Sequence, residues 1–183
     1  MNDVDPAMDS EDLLTHVHRC VILGIGNPLM GDDGVGIHVI RDLLAKPAAL
    51  AFTGGTIEIL DGGTLGYLLI DRLAGTDALI VVDAANIGKS AGEVQLFLNK
   101  EMDGFLSQNQ TSSVHEVGLV DLVQMMTLMG QMPRHRALVG IQPSIIDWET
   151  ELSPSLAQSV AKASDKIIHI VSKWYGVSTQ CPI

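Results

Sequence analysis

Two kinds of hydrophobic pattern alternate along the chain. Short runs of β-branched and leucine residues, of the kind that form buried strands, are separated by longer stretches whose apolar positions recur every three or four residues. The run before Asp83 is apolar throughout, as expected for a strand that helices cover on both faces. The five strand candidates are residues 21–24, 56–60, 78–82, 93–98 and 137–141.

The helical spacing predicts four helices, and turn residues mark their limits. Pro47 ends the first helix, and Ser113 with Glu116 forms a capping box at the start of the third. The last helix has Ser153 as its cap and Pro154 at its first position. Residues 100–110 are polar and are predicted to form a loop. The four predicted helices are residues 35–44, 65–73, 113–130 and 154–175.

Alternating strands and helices predict an α/β fold with three layers. We expect a mostly parallel, twisted sheet of about five strands with helices on both faces, joined by right-handed crossovers. The 183 residues, 46% hydrophobic and 18% charged, suit one domain with a sizeable core. The predicted organisation is a flexible acidic leader (1–19), a single domain (20–176) and a C-terminal tail (177–183).

Charge and cysteine usage exclude several classes of function. The 22 acidic and 11 basic residues give a formal charge of −11, which disfavours nucleic acid and anionic lipid as partners. Cys20 and Cys181 have no metal-binding spacing and indicate neither a disulfide scaffold nor a thiol nucleophile. The leader lacks a basic start and a long apolar run, so we expect it to be neither a signal peptide nor a membrane anchor. We expect a cytoplasmic monomer.

Carboxylates follow three of the predicted strands. Asp32 and Asp33 come after the first strand and its glycine loop, Asp61 follows the second, and Asp83 follows the third. Because the carboxyl ends of parallel strands meet at one edge of a sheet, these side chains should face a common crevice. Local roles are open at this point too, and capping is the commoner role of an Asp just before a helix: Asp32 or Asp33 as a helix cap, Asp61 in an Asx-turn, and Asp83 as the cap of a following turn.

The crevice lacks the motifs of several common enzyme classes. After Gly24 and Gly26 the place of the third dinucleotide-binding glycine is taken by Leu29, and the Walker and His-Glu-x-x-His motifs are absent from the sequence. Asp33, Asp83 and His115 remain as possible ligands of a divalent transition metal such as nickel or zinc. A helix N-terminus keeps the imidazole neutral and the carboxylate ionised, the forms that bind metal. In isolation, His115 is equally compatible with a polar residue in a first helical turn.

Four segments, in order between about residues 21 and 143, resemble the hydrogenase maturation protease family. The first is Gly-Ile-Gly-Asn-Pro-Leu-Met-Gly-Asp-Asp-Gly within residues 22–36. The others are Asp-Gly-Gly-Thr at 61–64, Val-Asp-Ala at 82–84, and Ser-Val-His-Glu-Val-Gly-Leu at 113–119. Four ordered segments are far more specific than one glycine loop.

The resemblance implies an aspartyl-type endopeptidase that removes the C-terminal extension of the nickel-iron hydrogenase large-subunit precursor after nickel insertion. It implies that Asp33, Asp83 and His115 contact the metal and that Asp33 and Asp83 are catalytic. Nickel would arrive with the precursor, and other divalent metals are alternative occupants. Many members have Glu at the position of Asp33, so a carboxylate is retained. Asp61 matches the family's Asp-Gly-Gly-Thr turn, with a supporting role that the resemblance does not define.

Two other classes of function are compatible with the sequence. A non-catalytic chaperone that senses nickel in the precursor would use the same three residues, and peptide cleavage separates it from a protease. A nucleotide-binding α/β domain is the second alternative, and a nucleotide-binding assay tests it. The order of hydrolytic events is also open, because the metal can polarise the peptide carbonyl or activate water, or a carboxylate can act as the base.

Overall fold

A computed structural model describes residues 17–64, 69–108, 114–144 and 146–176, with the side chains of 114–117 excepted. The five strands are β1 (Arg19–Ile25), β2 (Thr56–Gly63), β3 (Ala78–Ala84), β4 (Val94–Leu98) and β5 (His135–Ile141). The helices are α1 (Val35–Leu44), α2 (Ile70–Leu73), α3 (Lys100–Gln108), α4 (Val114–Leu128) and α5 (Pro154–Trp174). Short 3-10 helices span Gly31–Gly34 and Pro47–Leu50.

The strands form one sheet in the order β2-β1-β3-β5-β4. All neighbouring pairs are parallel except the last, in which β4 runs antiparallel to β5 at the edge. Gly24 of β1 pairs with Asp61 of β2 on one side and Val82 of β3 on the other, so these strands end at nearly the same level. The predicted mostly parallel sheet of about five strands is confirmed, and its carboxyl edge lies beyond these residues.

Helices cover both faces of the sheet, as predicted. Alternate strand residues such as Ile22 and Ile80 lie in one hydrophobic core with residues of α1 and α5. Their chain neighbours, such as Leu23 and Val81, lie in a second core with residues of α2, α3 and α4. Every residue of β3 is buried, as the sequence predicted for a strand covered on both sides.

One local prediction is wrong. Residues 100–108 form helix α3 rather than a loop, because Met102 and Leu106 lie one helical turn apart and are buried in the second core. The remaining residues of this helix are mainly polar, so the helical spacing of its buried apolar residues is not evident from the sequence. His135 is the first residue of β5 and lies buried against Trp174, with ring centroids 5.7 Å apart.

Several predicted boundaries lie outside the described residues. These include residues 1–16 of the leader, 65–68 at the predicted start of the second helix, the predicted cap Ser113, and the tail 177–183, so these boundaries stay predictions. Among the described helices, none has both the length and the apolar character needed to cross a bilayer.

Candidate active site

Two glycines let the chain pack tightly where β1 gives way to α1. Gly26 has φ +127°, and a Cβ there would collide with the carbonyl oxygen of Asp33. A Cβ on Gly36 would collide with the carbonyl oxygens of Ile25 and Val82. The glycine pattern therefore reflects close approach of backbone to backbone, which brings the 3-10 helix Gly31–Gly34 and the start of α1 against the ends of β1 and β3.

Asp33 lies in the 3-10 helix at the exit of this loop, and only 3% of the residue is exposed. Its Oδ2 accepts a hydrogen bond from the backbone N–H of Asn27 at 2.7 Å. The N-cap positions of the 3-10 helix and of α1 are Met30 and Gly34, so the alternative in which Asp32 or Asp33 caps the following helix is wrong. The Asp33 carboxylate instead connects the end of the glycine loop to Asn27 near its beginning.

Asp83 is the last but one residue of β3 and is 1% exposed. Because Val82 pairs with Gly24, Asp83 stands at the carboxyl edge of the sheet, next to the strand that leads into the Asp33 loop. The 3-10 helix that carries Asp33 packs against β3. Two adjacent parallel strands thus deliver two buried carboxylates to one edge, and buried carboxylates of this kind are paired or bind metals.

His115 is the second residue of α4, and its side chain lies outside the described part of the chain. The backbone indicates where this end of the helix lies. A Cβ on Gly118, one turn later, would be 3.5 Å from the carbonyl oxygen of Thr64, which follows β2 at the carboxyl edge. Side chains described in residues 17–64, 69–108, 118–144 and 146–176 include no group of three potential metal ligands, so the trio with His115 stays a prediction.

Asp61 has a local partner. It lies in β2, is exposed, and its Oδ1 accepts a hydrogen bond from the Gly63 N–H at 2.9 Å. The register between β1 and β2 shifts at this point, between Gly24 and Ile25. The Asx-turn interaction expected from the sequence is therefore present, and it shapes the end of β2.

Asp32 makes long-range contacts that the sequence did not predict. This carboxylate is 1% exposed and joins two distant parts of the chain. Its Oδ2 accepts hydrogen bonds from Ser144 N–H at 2.8 Å and Ser153 Oγ at 3.0 Å, and its Oδ1 accepts one from Ser153 N–H at 2.7 Å. Ser153 occupies the predicted N-cap position of α5, but its side chain makes no cap hydrogen bond. The adjacent pair of aspartates was the only local signal.

Cys20 is not equipped to act as a nucleophile. It is the second residue of β1, so it lies near the amino ends of the parallel strands, whereas the carboxylates lie at their carboxyl ends. Cys20 is fully buried. Burial raises the pKa of its thiol to about 12, so the reactive thiolate is not populated near neutral pH. The candidate chemistry of the described residues is therefore that of carboxylates.

Comparison with known proteins gives a consistent assignment. The family model for hydrogenase maturation proteases matches residues 37–173. The hydrogenase expression/formation protein HupD of Bradyrhizobium diazoefficiens is 31% identical over 158 residues, covering 86% of this chain and 80% of the relative.

Solved structures agree with the family match. The hydrogenase maturating endopeptidase HybD from Escherichia coli has a TM-score of 0.73 and 26% identity, covering 85% of this chain and 93% of its own. The [NiFe] hydrogenase maturation protease HybD from Thermococcus kodakarensis has a TM-score of 0.68 and 27% identity, covering 84% and 99%. The resemblance identified from four short segments is confirmed: the chain belongs to the hydrogenase maturation protease family and is a peptidase.

Proposed function

We propose that this endopeptidase removes the C-terminal extension of the nickel-iron hydrogenase large-subunit precursor after nickel insertion, and that it recognises the inserted nickel. Family membership supports a hydrogenase precursor as the substrate. The nickel is part of that substrate. Asp33, Asp83 and His115 are the residues proposed to contact it.

One observation carries the nickel part of the proposal. Asp83 is buried at the carboxyl end of β3, Asp33 is buried in the 3-10 helix that follows the adjacent strand β1 and packs against β3, and the first turns of α4 pass the same edge near Thr64. Carboxylate oxygens together with an imidazole nitrogen suit nickel, and three protein ligands leave further positions for the groups that already hold the ion in the precursor. A precursor without nickel would lack this anchor, so cleavage would depend on correct loading.

Hydrolysis requires water to attack the scissile carbonyl carbon and a proton to reach the leaving amine. The C–N bond breaks, one product gains a carboxylate and the other an amine. A carboxylate oxygen that does not contact nickel would accept the proton of the attacking water and return it to the amine, and the substrate's nickel would polarise the carbonyl. Asp33 and Asp83 are the two described groups proposed for these roles.

A cleavage assay with two precursor preparations tests the proposal. Precursor with and without nickel is incubated with wild-type protein, with Asp83→Asn, or with the control Asp165→Asn, which removes an exposed carboxylate on α5. Mass spectrometry reports loss of the C-terminal extension. We expect shortening only of nickel-loaded precursor, by the wild type and the control.

Each other outcome removes a defined part of the proposal. Equal cutting of both precursors would eliminate nickel recognition, and full activity of Asp83→Asn would remove that residue from the site. A cognate precursor left intact by the wild type would favour the nickel-sensing chaperone.

We also propose that the protein acts in the cytoplasm as a monomer. Light scattering should then give a mass near 19.6 kDa.

A further inference from the structure

The connection between β5 and α5 is fastened to the loop that carries Asp33. We call the described residues of this connection, 144 and 146–153, the β5–α5 arm. Asp32 binds both ends of the arm, through Ser144 and Ser153. Near its middle, the carbonyl oxygen of Glu149 accepts a hydrogen bond from the Gly31 N–H at 2.6 Å, and Met30 forms a parallel bridge with Glu149. The arm is therefore fixed beside Asp33 at three points.

The outer surface of the arm combines apolar and acidic side chains. Residues 146–151 are all exposed, with Trp148 at 77% and Ile146 also exposed. Leu29, next to the bridging Met30, is another exposed apolar residue. Large side chains of this kind, and tryptophan above all, are enriched at the centres of binding surfaces. Asp147, Glu149 and Glu151 alternate with them, and the arm contains no basic residue.

We propose that the β5–α5 arm is a docking surface for the large-subunit precursor and binds a cationic stretch with apolar side chains near the scissile bond. Trp148 and Ile146 contact the apolar side chains, and the arm's carboxylates face the positive charges. This inference rests on the proposed function, since it concerns the substrate of the same site.

Position and charge select this occupant. The arm lies beside the 3-10 helix that carries Asp33, because Asp32 and Gly31 of that helix hold it in place, so a substrate segment next to the scissile bond would lie near the arm. A second copy of this chain would bring two acidic arms together in a protein of charge −11, and like charges at an interface oppose association. A cationic substrate segment is attracted to the same surface.

Kinetics with Trp148→Ala test the proposed contact. The side chain contributes no core contacts because it is exposed, so the fold should be kept. We expect KM for nickel-loaded precursor to rise about tenfold while kcat stays within about twofold. The control is Leu128→Ala, which removes an exposed apolar side chain at the far end of α4. It should leave both constants unchanged.

The acidic side chains are tested separately. Glu149→Gln with Glu151→Gln removes two charges, whereas Asp147 is left because its Oδ1 accepts a hydrogen bond from Trp148 N–H at 2.7 Å within the arm. We expect the double variant to raise KM and to weaken its dependence on salt, since exposed charges act mainly through screened, long-range attraction. A KM with unchanged salt dependence would contradict the proposed charge complementarity.

A footprint that does not depend on cleavage separates the two proposals. Hydroxyl radicals oxidise exposed indoles, and mass spectrometry measures oxidation of Trp148 and Trp174 with and without precursor. Protection of Trp148, with Trp174 unaffected as internal reference, supports docking. Cleavage without such protection, or with unchanged KM in Trp148→Ala, overturns docking and leaves the protease function standing. Protection without cleavage supports docking and overturns the proposed reaction.

Discussion

Asp32 Oδ1 accepts a hydrogen bond from the backbone N–H of Ser153 at 2.7 Å, although 121 residues separate the two. The other oxygen of the same carboxylate holds Ser144 and the Ser153 hydroxyl. The next residue in the chain is Asp33, a proposed nickel contact. One buried carboxylate thus positions both the β5–α5 arm and the turn from which Asp33 projects, and we regard Asp32 as a positioning residue.

Replacing Asp32 should loosen this connection. Asp32→Asn substitutes an N–H₂ donor for one oxygen and leaves at least one backbone or hydroxyl donor without its acceptor, so we expect a loss of about 1–3 kcal/mol in the free energy of unfolding. Because the arm is released beside Asp33, KM should rise and kcat should fall. Denaturant unfolding and steady-state cleavage measure the two effects.

Ser153 provides a graded comparison for Asp32. Ser153→Ala removes only the hydroxyl donor and should cost about 0.5–1.5 kcal/mol, while Ser153→Thr retains the hydroxyl and should restore most of the loss. If Asp32→Asn is less stable than the wild type but has unchanged KM and kcat, its role is structural alone.

Substitutions at Asp33 should change cleavage activity much more than the stability of the fold. In Asp33→Asn the side-chain oxygen can still accept the hydrogen bond from Asn27 N–H, so we expect a change of less than about 1 kcal/mol in the free energy of unfolding. Cleavage of nickel-loaded precursor should nevertheless be lost, because the anionic ligand is gone. Asp33→Glu retains the charge with one more methylene and should keep measurable activity. Thermal unfolding and mass spectrometry report the two properties, and an active Asp33→Asn would argue against a ligand role.

Gly36 should tolerate no side chain. A Cβ there would collide with the carbonyl oxygens of Ile25 and Val82, so Gly36→Ala should destabilise the fold by about 1–3 kcal/mol and displace the start of α1. Gly104→Ala is the matched control, since Gly104 lies in helix α3 with open space around its Cβ position. Alanine's higher helix propensity should make that variant about 0.5–1 kcal/mol more stable. Equal unfolding midpoints for the two variants would contradict the packing argument.

Cys20 should make stability fall at alkaline pH. Burial raises its pKa from 9.0 to about 12, so between these values the folded state keeps a proton that the unfolded state has released. The contribution to stability is complete below pH 9 and is lost progressively as the pH rises towards 12. Denaturant unfolding as a function of pH should therefore show a decline in the free energy of unfolding that is shallower in Cys20→Ala.

Alkylation of Cys20 in the native protein should also be slow until the protein is denatured. Rapid alkylation at neutral pH would contradict its burial.

The layered α/β architecture, the place of Asp83 at the end of β3 and that of Asp33 after the loop that follows β1 could all be predicted from the sequence. These features follow from the local pattern of apolar residues. Residues that directly follow parallel strands lie at the carboxyl edge of the sheet, so their place is known once the strands are recognised. The start of α5 at Pro154 and the Asx interaction of Asp61 were likewise encoded within a few neighbouring residues.

The role of Asp32 could not be predicted from the sequence. Its partners lie 112 and 121 residues away, and no local pattern in the sequence relates an aspartate after a glycine loop to the two ends of a later connection. Burial of His135 against Trp174 and of α3 through Met102 and Leu106 depended in the same way on which surfaces meet when the chain folds. Hydrogen bonds and packing between distant segments are set by the global arrangement, which local spacing does not specify.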